Sequence, residues 1–341
     1  MNKNKKIALS IFVESIGLYF SNIDKFIKYM TFPVLGQYFG LLIIFSLLHF
    51  YIKHMPNIVG QIQILNNTLI LLALPFIIIL PGLAIFLKAF WEYLIAYGSI
   101  NSMFENMLKS GRVYDFDAHT ELIKRRTGSF IILWTLIGIF SLISICPLLW
   151  VISGVISVFL VLIFQIFTFE PEQTPIGCIK RSIQITKGNF ASTFLLLALS
   201  GALTYVLIPK LFNLLFEYTN ITSFLTQSLL PLVKELPITK WQNILPAIYS
   251  PILNVDNISK LIITSLITQI IIQYTLPLRS ILWSNVYQNF NKSINTTKKK
   301  KTASKKSLKK PSEKLIESTQ KKYSSKKLDR NILKRALEKD E

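Results

Sequence analysis

Of the 341 residues, 51% are hydrophobic and only 16% are charged, and the apolar residues collect in runs too long for the core helices of a water-soluble protein. The formal net charge of +20 would suggest a nucleic-acid partner, but 18 of the 38 Lys and Arg follow Trp283, with six acidic residues among them, so much of it belongs to one appendage. Two cysteines, Cys146 and Cys178, make no disulfide framework, and three histidines, His49, His54 and His119, offer no metal cluster.

The N-terminus carries Lys3, Lys5 and Lys6 ahead of the apolar run Ile7–Val13. Glu14 interrupts that run and no small-x-small cleavage site follows, so residues 1–30 are expected to hold an uncleaved amphipathic helix, Ile7–Met30, on the membrane surface. The first span by length and hydropathy is 32–51 and the second 68–87. Pro75 and Pro81-Gly82 fall inside the second span, which predicts a kinked helix that neighbouring helices keep intact.

The stretch from Thr127 to Phe169 holds no Asp, Glu, Lys or Arg. As one helix it would run roughly 60 Å, about twice the hydrocarbon thickness, so it must turn back on itself. Cys146-Pro147 is the natural turn, because proline cannot continue the hydrogen-bond ladder and the residue before it avoids helical geometry. Spans three and four are therefore 129–146 and 148–169. Two more follow at 190–208 and 261–278, separated by an outer loop, 209–260, with apolar patches too short to cross and better suited to surface or re-entrant helices.

The predicted fold is all-α, a polytopic membrane domain of about six spans over 31–283. Orientation follows from the short connections. Lys and Arg are dense before the first span, between residues 98 and 128, and between 170 and 189, and sparse in the alternate connections, which places both termini in the cytoplasm. A Lys-, Ile- and Asn-heavy composition points to a bacterial inner membrane. The remainder, 284–341, reads as a basic, mostly disordered tail with one amphipathic helix at Leu328–Lys339.

Residues 147–196 carry a recognisable pattern. Pro147 leads into an apolar span, Glu170-Pro171 follows, then Ile176-Gly177-Cys178-Ile179-Lys180-Arg181-Ser182, and Thr186-Lys187-Gly188-Asn189-Phe190 enters the next span. Together with the basic connection Gly111-Arg112 to Arg126, this resembles, over roughly residues 95–200, a bacterial membrane family. Its types are the membrane domain of glycerophosphoryl diester phosphodiesterases and the YciC-like inner-membrane proteins of unknown function. Leu148 stands where the family usually has Gly, and Cys178-Ile179 where Ala-Leu is usual. The resemblance implies a six-span α-helical domain and carries no hydrolase chemistry, since the soluble barrel of some relatives needs about 250 residues.

Candidate sites are few. Glu170, Arg181 and Lys187 share one connection, where Arg181 and Lys187 could hold a lipid phosphate while Glu170 fixes the connection by an ion pair; topological anchoring is the simpler reading. Lys88, one turn from Glu92, and Arg279 both read as interface residues at span ends. Thr268, Gln269 and Gln273 recur at helical spacing and suggest either a polar path or hydrogen-bonded glue between helices. In the tail, Lys298, Lys299, Lys300, Lys301, Lys305, Lys306, Lys309 and Lys310 would attract anionic headgroups at about 1 kcal/mol each near a membrane. The same lysines could neutralise RNA or DNA phosphates, a weaker fit because Tyr323 is the only aromatic residue in the tail beyond Lys298.

No span holds an ionisable group near its middle, and no Walker loop, dinucleotide-binding glycine pattern or nucleophile elbow occurs. The expectation is a non-enzymatic, cofactor-free membrane protein of membrane organisation or envelope homeostasis that touches anionic lipid through basic cytoplasmic faces. A homo-oligomer or an operon-encoded membrane partner would suit it. The alternatives are a transporter, channel or lipid-moving protein, and an insertase-like protein that docks ribosomes through the tail.

Overall fold

In the computed structural model, which describes residues 3–59, 68–113, 115–244 and 254–307, the chain is helical and no strand occurs among the described residues. Six stretches are long and apolar enough to cross a membrane: Ile23–His54, Ala73–Ser110, Thr127–Ile145, Pro147–Phe169, Phe190–Tyr218 and Val255–Lys292. The protein is an all-α polytopic membrane protein. Large apolar side chains stand bare on these helices, Phe39, Phe45, Phe76 (70% exposed), Ile139, Val151 (80%) and Phe194 among them, a surface that lipid satisfies and water would not.

The chain begins with α1, Lys3–Phe20, and α2, Ile23–Val59. The single surface helix expected over Ile7–Met30 is corrected to two helices broken at Ser21-Asn22. Asn22 explains the break. Its side chain donates to Leu18 O and Gly111 O and accepts from Val113 N, which pins the junction to the distant loop after the third helix. Nor does α1 lie bare, for Ala8, Ile11, Ser15 and Tyr19 form one buried face at helical spacing.

Helix α3, Thr68–Ser110, is 43 residues long, about 65 Å, and passes through Pro75 and Pro81 as one helix. It packs along α2 with glycine at the crossing. A Cβ on Gly40 would sit 2.6 Å from Phe86 N and 2.8 Å from Gly82 O, so the two backbones touch. Toward the α1 end, Tyr19, Phe26, Met30, Val34, Ala96, Ile100, Met103, Phe104 and Met107 build a fully packed core with Leu276, Leu278 and Ile281. Helices α2 and α3 thus reach past the bilayer thickness into a protein-filled cap.

Helix α4, Phe116–Lys124, is capped by Asp115, whose side chain accepts from Ala118 N. Helix α5, Thr127–Leu142, ends in the expected turn: Cys146 is extended, with φ −86° and ψ 116°, before Pro147. Ser144 and Ser153 hydrogen-bond across the turn, and Trp150 Nε1 donates to Ser144 O. The returning arm is interrupted once, giving α6, Trp150–Leu160, and α7, Ile163–Phe169. Cys146 is exposed and Cys178 buried, and both are free thiols.

Helix α8, Pro175–Lys187, starts with Thr174 as its cap and Pro175 in the first turn. Helix α9, Phe190–Gly201, continues through a π-helical stretch, Ala202–Leu207, into α10, Ile208–Tyr218. The wider turn lies just before Pro209, which has no N–H to offer its preceding turn. The fifth span is therefore longer than 190–208, and α10 belongs to it instead of to the outer loop. Beyond it lie α11, Ile221–Lys234, and α12, Ile238–Ile244. Glu235, at the end of α11, reaches His49 at 3.4 Å and Lys53 at 3.5 Å on α2.

Helix α13, Val255–Tyr274, stops at Thr275, and α14 opens with Leu276-Pro277 and runs to Ser307. A tail beginning at 284 is corrected here, since Ser284, Asn285, Val286 and Tyr287 are all buried. The first compact unit ends at Gln288. The second, from Asn289, is described as helical backbone to Ser307, where the sequence reads as disordered; Lys298–Lys301, Lys305 and Lys306 lie on that helix. Lys309, Lys310 and the expected helix Leu328–Lys339 lie outside the described residues.

Candidate membrane-interface site

The connection between α7 and α8 is held by one carboxylate. Phe169 ends α7, Pro171 blocks its continuation, and the Thr174-Pro175 start of α8 turns Arg181 toward Glu170. Arg181 Nε donates to Glu170 Oε1 at 3.1 Å, and the Tyr287 hydroxyl of α14 donates to the same oxygen at 2.8 Å. The Phe169 and Tyr287 rings stack beside it at 5.3 Å. Both members of the ion pair are about one-fifth exposed, so the pair is a structural clamp with its charges spent on each other.

Lys187 does not join this group. It stands six residues beyond Arg181, about 120° around the helix, and is exposed. The phosphate grip by Arg181 and Lys187, the less simple of the two readings of these residues, does not assemble, since the Arg181 guanidinium is engaged by Glu170. The buried Cys178 thiol on α8 is pushed up to about 11 by burial, so it stays protonated and unreactive.

Arg279 is not an interface residue at a span end. Because α14 starts afresh at Leu276, its first turn aims Arg279 back into the bundle, where it donates to the Tyr205 hydroxyl and to Ile272 O, with the guanidinium 4.9 Å over the Tyr205 ring. No carboxylate pairs with it among the described residues. The proposed polar path does not assemble either. Thr268 accepts from Asn213 on α10 at 2.8 Å, Gln269 is exposed, and Gln273 Oε1 is buried without a partner. Thr268 is interhelical glue.

Sequence reasoning missed a buried polar knot. Asn101 on α3 accepts from Ser280 at 2.5 Å, Ser284 at 3.1 Å and Gln165 Nε2 at 3.2 Å, and Gln165 also reaches the Tyr97 hydroxyl. All but Tyr97 are fully buried. The available signal was the one-turn spacing of Ser280 and Ser284 together with an amide in each of two apolar helices, Asn101 in α3 and Gln165 in α7. Such a knot fixes the register of α3, α7 and α14.

A cavity of about 610 Å³ opens between α2, α3 and α4. Its charged wall is Lys25, Lys28, Glu92, Asp117 and Lys124, and its apolar wall includes Phe32, Pro33 and Ile95. Local packing shapes it: Tyr29 stacks on Phe116 at 4.1 Å and hydrogen-bonds Thr120 at 2.8 Å, which closes α4 onto α2. Lys25 Nζ donates to Val113 O, and Lys88 stands 5.5 Å over the Phe32 ring instead of pairing with Glu92. His119, on α4, shares a 2.7 Å hydrogen bond with Ser102, and burial holds its imidazole below the ordinary value. Among the described residues no three His, Cys, Asp or Glu side chains gather as a metal site.

No known protein family, curated protein or solved structure matches this chain.

Proposed function

We propose that this integral membrane protein organises lipid at one face of a bacterial inner membrane, without catalysis, by presenting basic side chains to phospholipid headgroups. The observation that carries the reading is the meeting of Lys28, Lys88 and Lys124 with the edge of the exposed apolar belt at Phe32. Lysines placed where an apolar surface ends are matched to headgroup phosphates, and Lys-rich connections mark the cytoplasmic side. The lysines from Lys298 onward would add a second, looser contact with anionic lipid.

Detergent-purified full-length chain and a chain ending at Ile294 test it in flotation with anionic and neutral vesicles. The truncated chain should still insert its spans in cells but bind anionic vesicles less. Equal binding by both chains removes the tail's share, and binding no stronger to anionic than to neutral vesicles, or none at all, refutes the reading.

A second reading, movement of lipid or solute, draws on a cavity of about 370 Å³ between the hairpin arms, lined by Ser141, Ser144, Ser153 and Ser157 with Tyr97 and Tyr205. Flux in reconstituted vesicles that falls when Ser144 and Ser157 become Leu would favour it. Absence of flux removes it.

A further inference from the structure

Besides Lys25, whose ammonium donates to Val113 O, four charged side chains from three helices face the cavity between α2, α3 and α4 without pairing with one another. Lys28 comes from α2, Glu92 from α3, and Asp117 and Lys124 from α4, and none takes part in an ion pair among the described residues. Glu92 is half-buried, which makes an unanswered carboxylate there costly. Cations and anions held apart in one pocket, three lysines against two carboxylates, match an occupant that itself carries both signs.

We propose that this cavity holds the headgroup of an amine-bearing phospholipid, with the phosphate diester between Lys28 and Lys124 and the primary ammonium at Glu92 and Asp117. The assignment rests on the reading that this end of the bundle engages headgroups, and it narrows that reading to one lipid class. A purely anionic headgroup would bring its charge against Glu92. A quaternary ammonium would need open aromatic faces. Here the Tyr29 ring is stacked on Phe116 and the Phe32 ring lies under Lys88.

A lipid fits better than a free phosphate because the cavity has an apolar exit. Phe32, 42% exposed, lines it, and Leu35 and Phe39 continue the same helix face into the lipid-facing belt, so an acyl chain has a continuous path. About 610 Å³ falls in the ordinary range for a small-molecule site and accommodates a glycerophosphoethanolamine with the first carbons of its chains.

Full-length protein in mild detergent, supplemented separately with phosphatidylethanolamine, phosphatidylglycerol or phosphatidylcholine, is read by native mass spectrometry for retained lipid. Phosphatidylethanolamine should be retained over the other two, and the variants Lys28→Ala/Lys124→Ala and Glu92→Gln should each weaken retention about tenfold, equivalent to about 1.4 kcal/mol. Glu92→Gln should also erase the preference over phosphatidylglycerol, and inorganic phosphate should not displace the lipid. Equal retention of the three lipids, unchanged retention in the variants, or displacement by inorganic phosphate overturns the proposal, the last by identifying a phosphate site.

Melting of each variant without added lipid guards against misfolding, and Lys124→Gln, on an exposed residue, carries the test if a harsher variant unfolds. The two proposals separate through the chain ending at Ile294. If it loses anionic-vesicle binding while the cavity variants retain lipid like the parent, the headgroup pocket falls and the broader function stands.

Discussion

Replacing Gly40 by Ala should drive α2 and α3 apart. The new methyl would lie 2.6 Å from Phe86 N, 2.8 Å from Gly82 O and 2.9 Å from Phe86 Cα, all backbone atoms, where ordinary contact begins near 3.4 Å. No rotamer relieves such a clash, so the helices must separate by several tenths of an ångström along a seam that also carries the core around Met30 and Ile100. Overpacking of this kind costs about 3 kcal/mol, against about 1 kcal/mol gained from the better helix propensity of alanine. The net loss of about 2 kcal/mol is more than tenfold in the folding equilibrium. At Gly36 the obstacle is a side chain, Ala89 Cβ at 2.8 Å, so Gly36→Ala should destabilise and Gly36→Ala/Ala89→Gly should return to within about 0.5 kcal/mol of the parent. Gly138→Ala and Gly154→Ala meet nothing within 4 Å and should be neutral or stabilising. Detergent-titrated unfolding followed by tryptophan fluorescence reads all five. A Gly40→Ala protein as stable as its parent, or a Gly36 variant that Ala89→Gly fails to rescue, would refute the close crossing.

Glu170→Gln leaves the one-fifth-exposed Arg181 guanidinium without its counter-charge and should lower stability by about 1–3 kcal/mol, whereas Tyr287→Phe removes one hydrogen bond and should cost about 1 kcal/mol, both measured by the same unfolding titration. Asn101→Leu strips the shared acceptor from Ser280, Ser284 and Gln165, and a loss of about 2–3 kcal/mol is expected; a neutral result would show that the knot contributes nothing. Burial holds His119 below its ordinary value of 6.5, so the unfolded chain binds the proton first as pH falls, and the stability present above 6.5 declines below it. His119→Gln should flatten that acid-side decline in a melting profile, and an unchanged profile would count against it.

The hairpin at Cys146-Pro147 was legible because a charge-free run twice the bilayer thickness has to fold, and proline offers the place. Lengths failed where polar residues sit in buried helix. Lys88 and Glu92 read as the exit of the second span, yet α3 continues to Ser110 because its far end is covered by protein and not by water. Ser280, Ser284 and Asn285 depress hydropathy in the same way and hide the core portion of α14, since hydropathy cannot register that Asn101 and Ser15 answer them. The orientation of Arg279 depended on a helix break at Thr275, for which Pro277 was the only local signal and which hydropathy, continuous across it, conceals. The charged cavity was illegible for a simpler reason. Lys28, Glu92, Asp117 and Lys124 lie in three helices up to 96 residues apart, and only the antiparallel packing of α2 on α3 brings them together.

The claim on which the account depends is that the exposed apolar belt spans lipid, with the Pro147 turn outside and the lysine-bearing end of α14 inside. Membrane-impermeant maleimide added to intact cells tests it directly, using Cys178→Ser to leave exposed Cys146 as the reporter and Cys146→Ser/Cys178→Ser/Ser304→Cys to report the other end. Cys146 should be labelled from outside, and the thiol at 304 only after the membrane is opened. Labelling at 304 in intact cells, with Cys146 protected until lysis, would contradict the account.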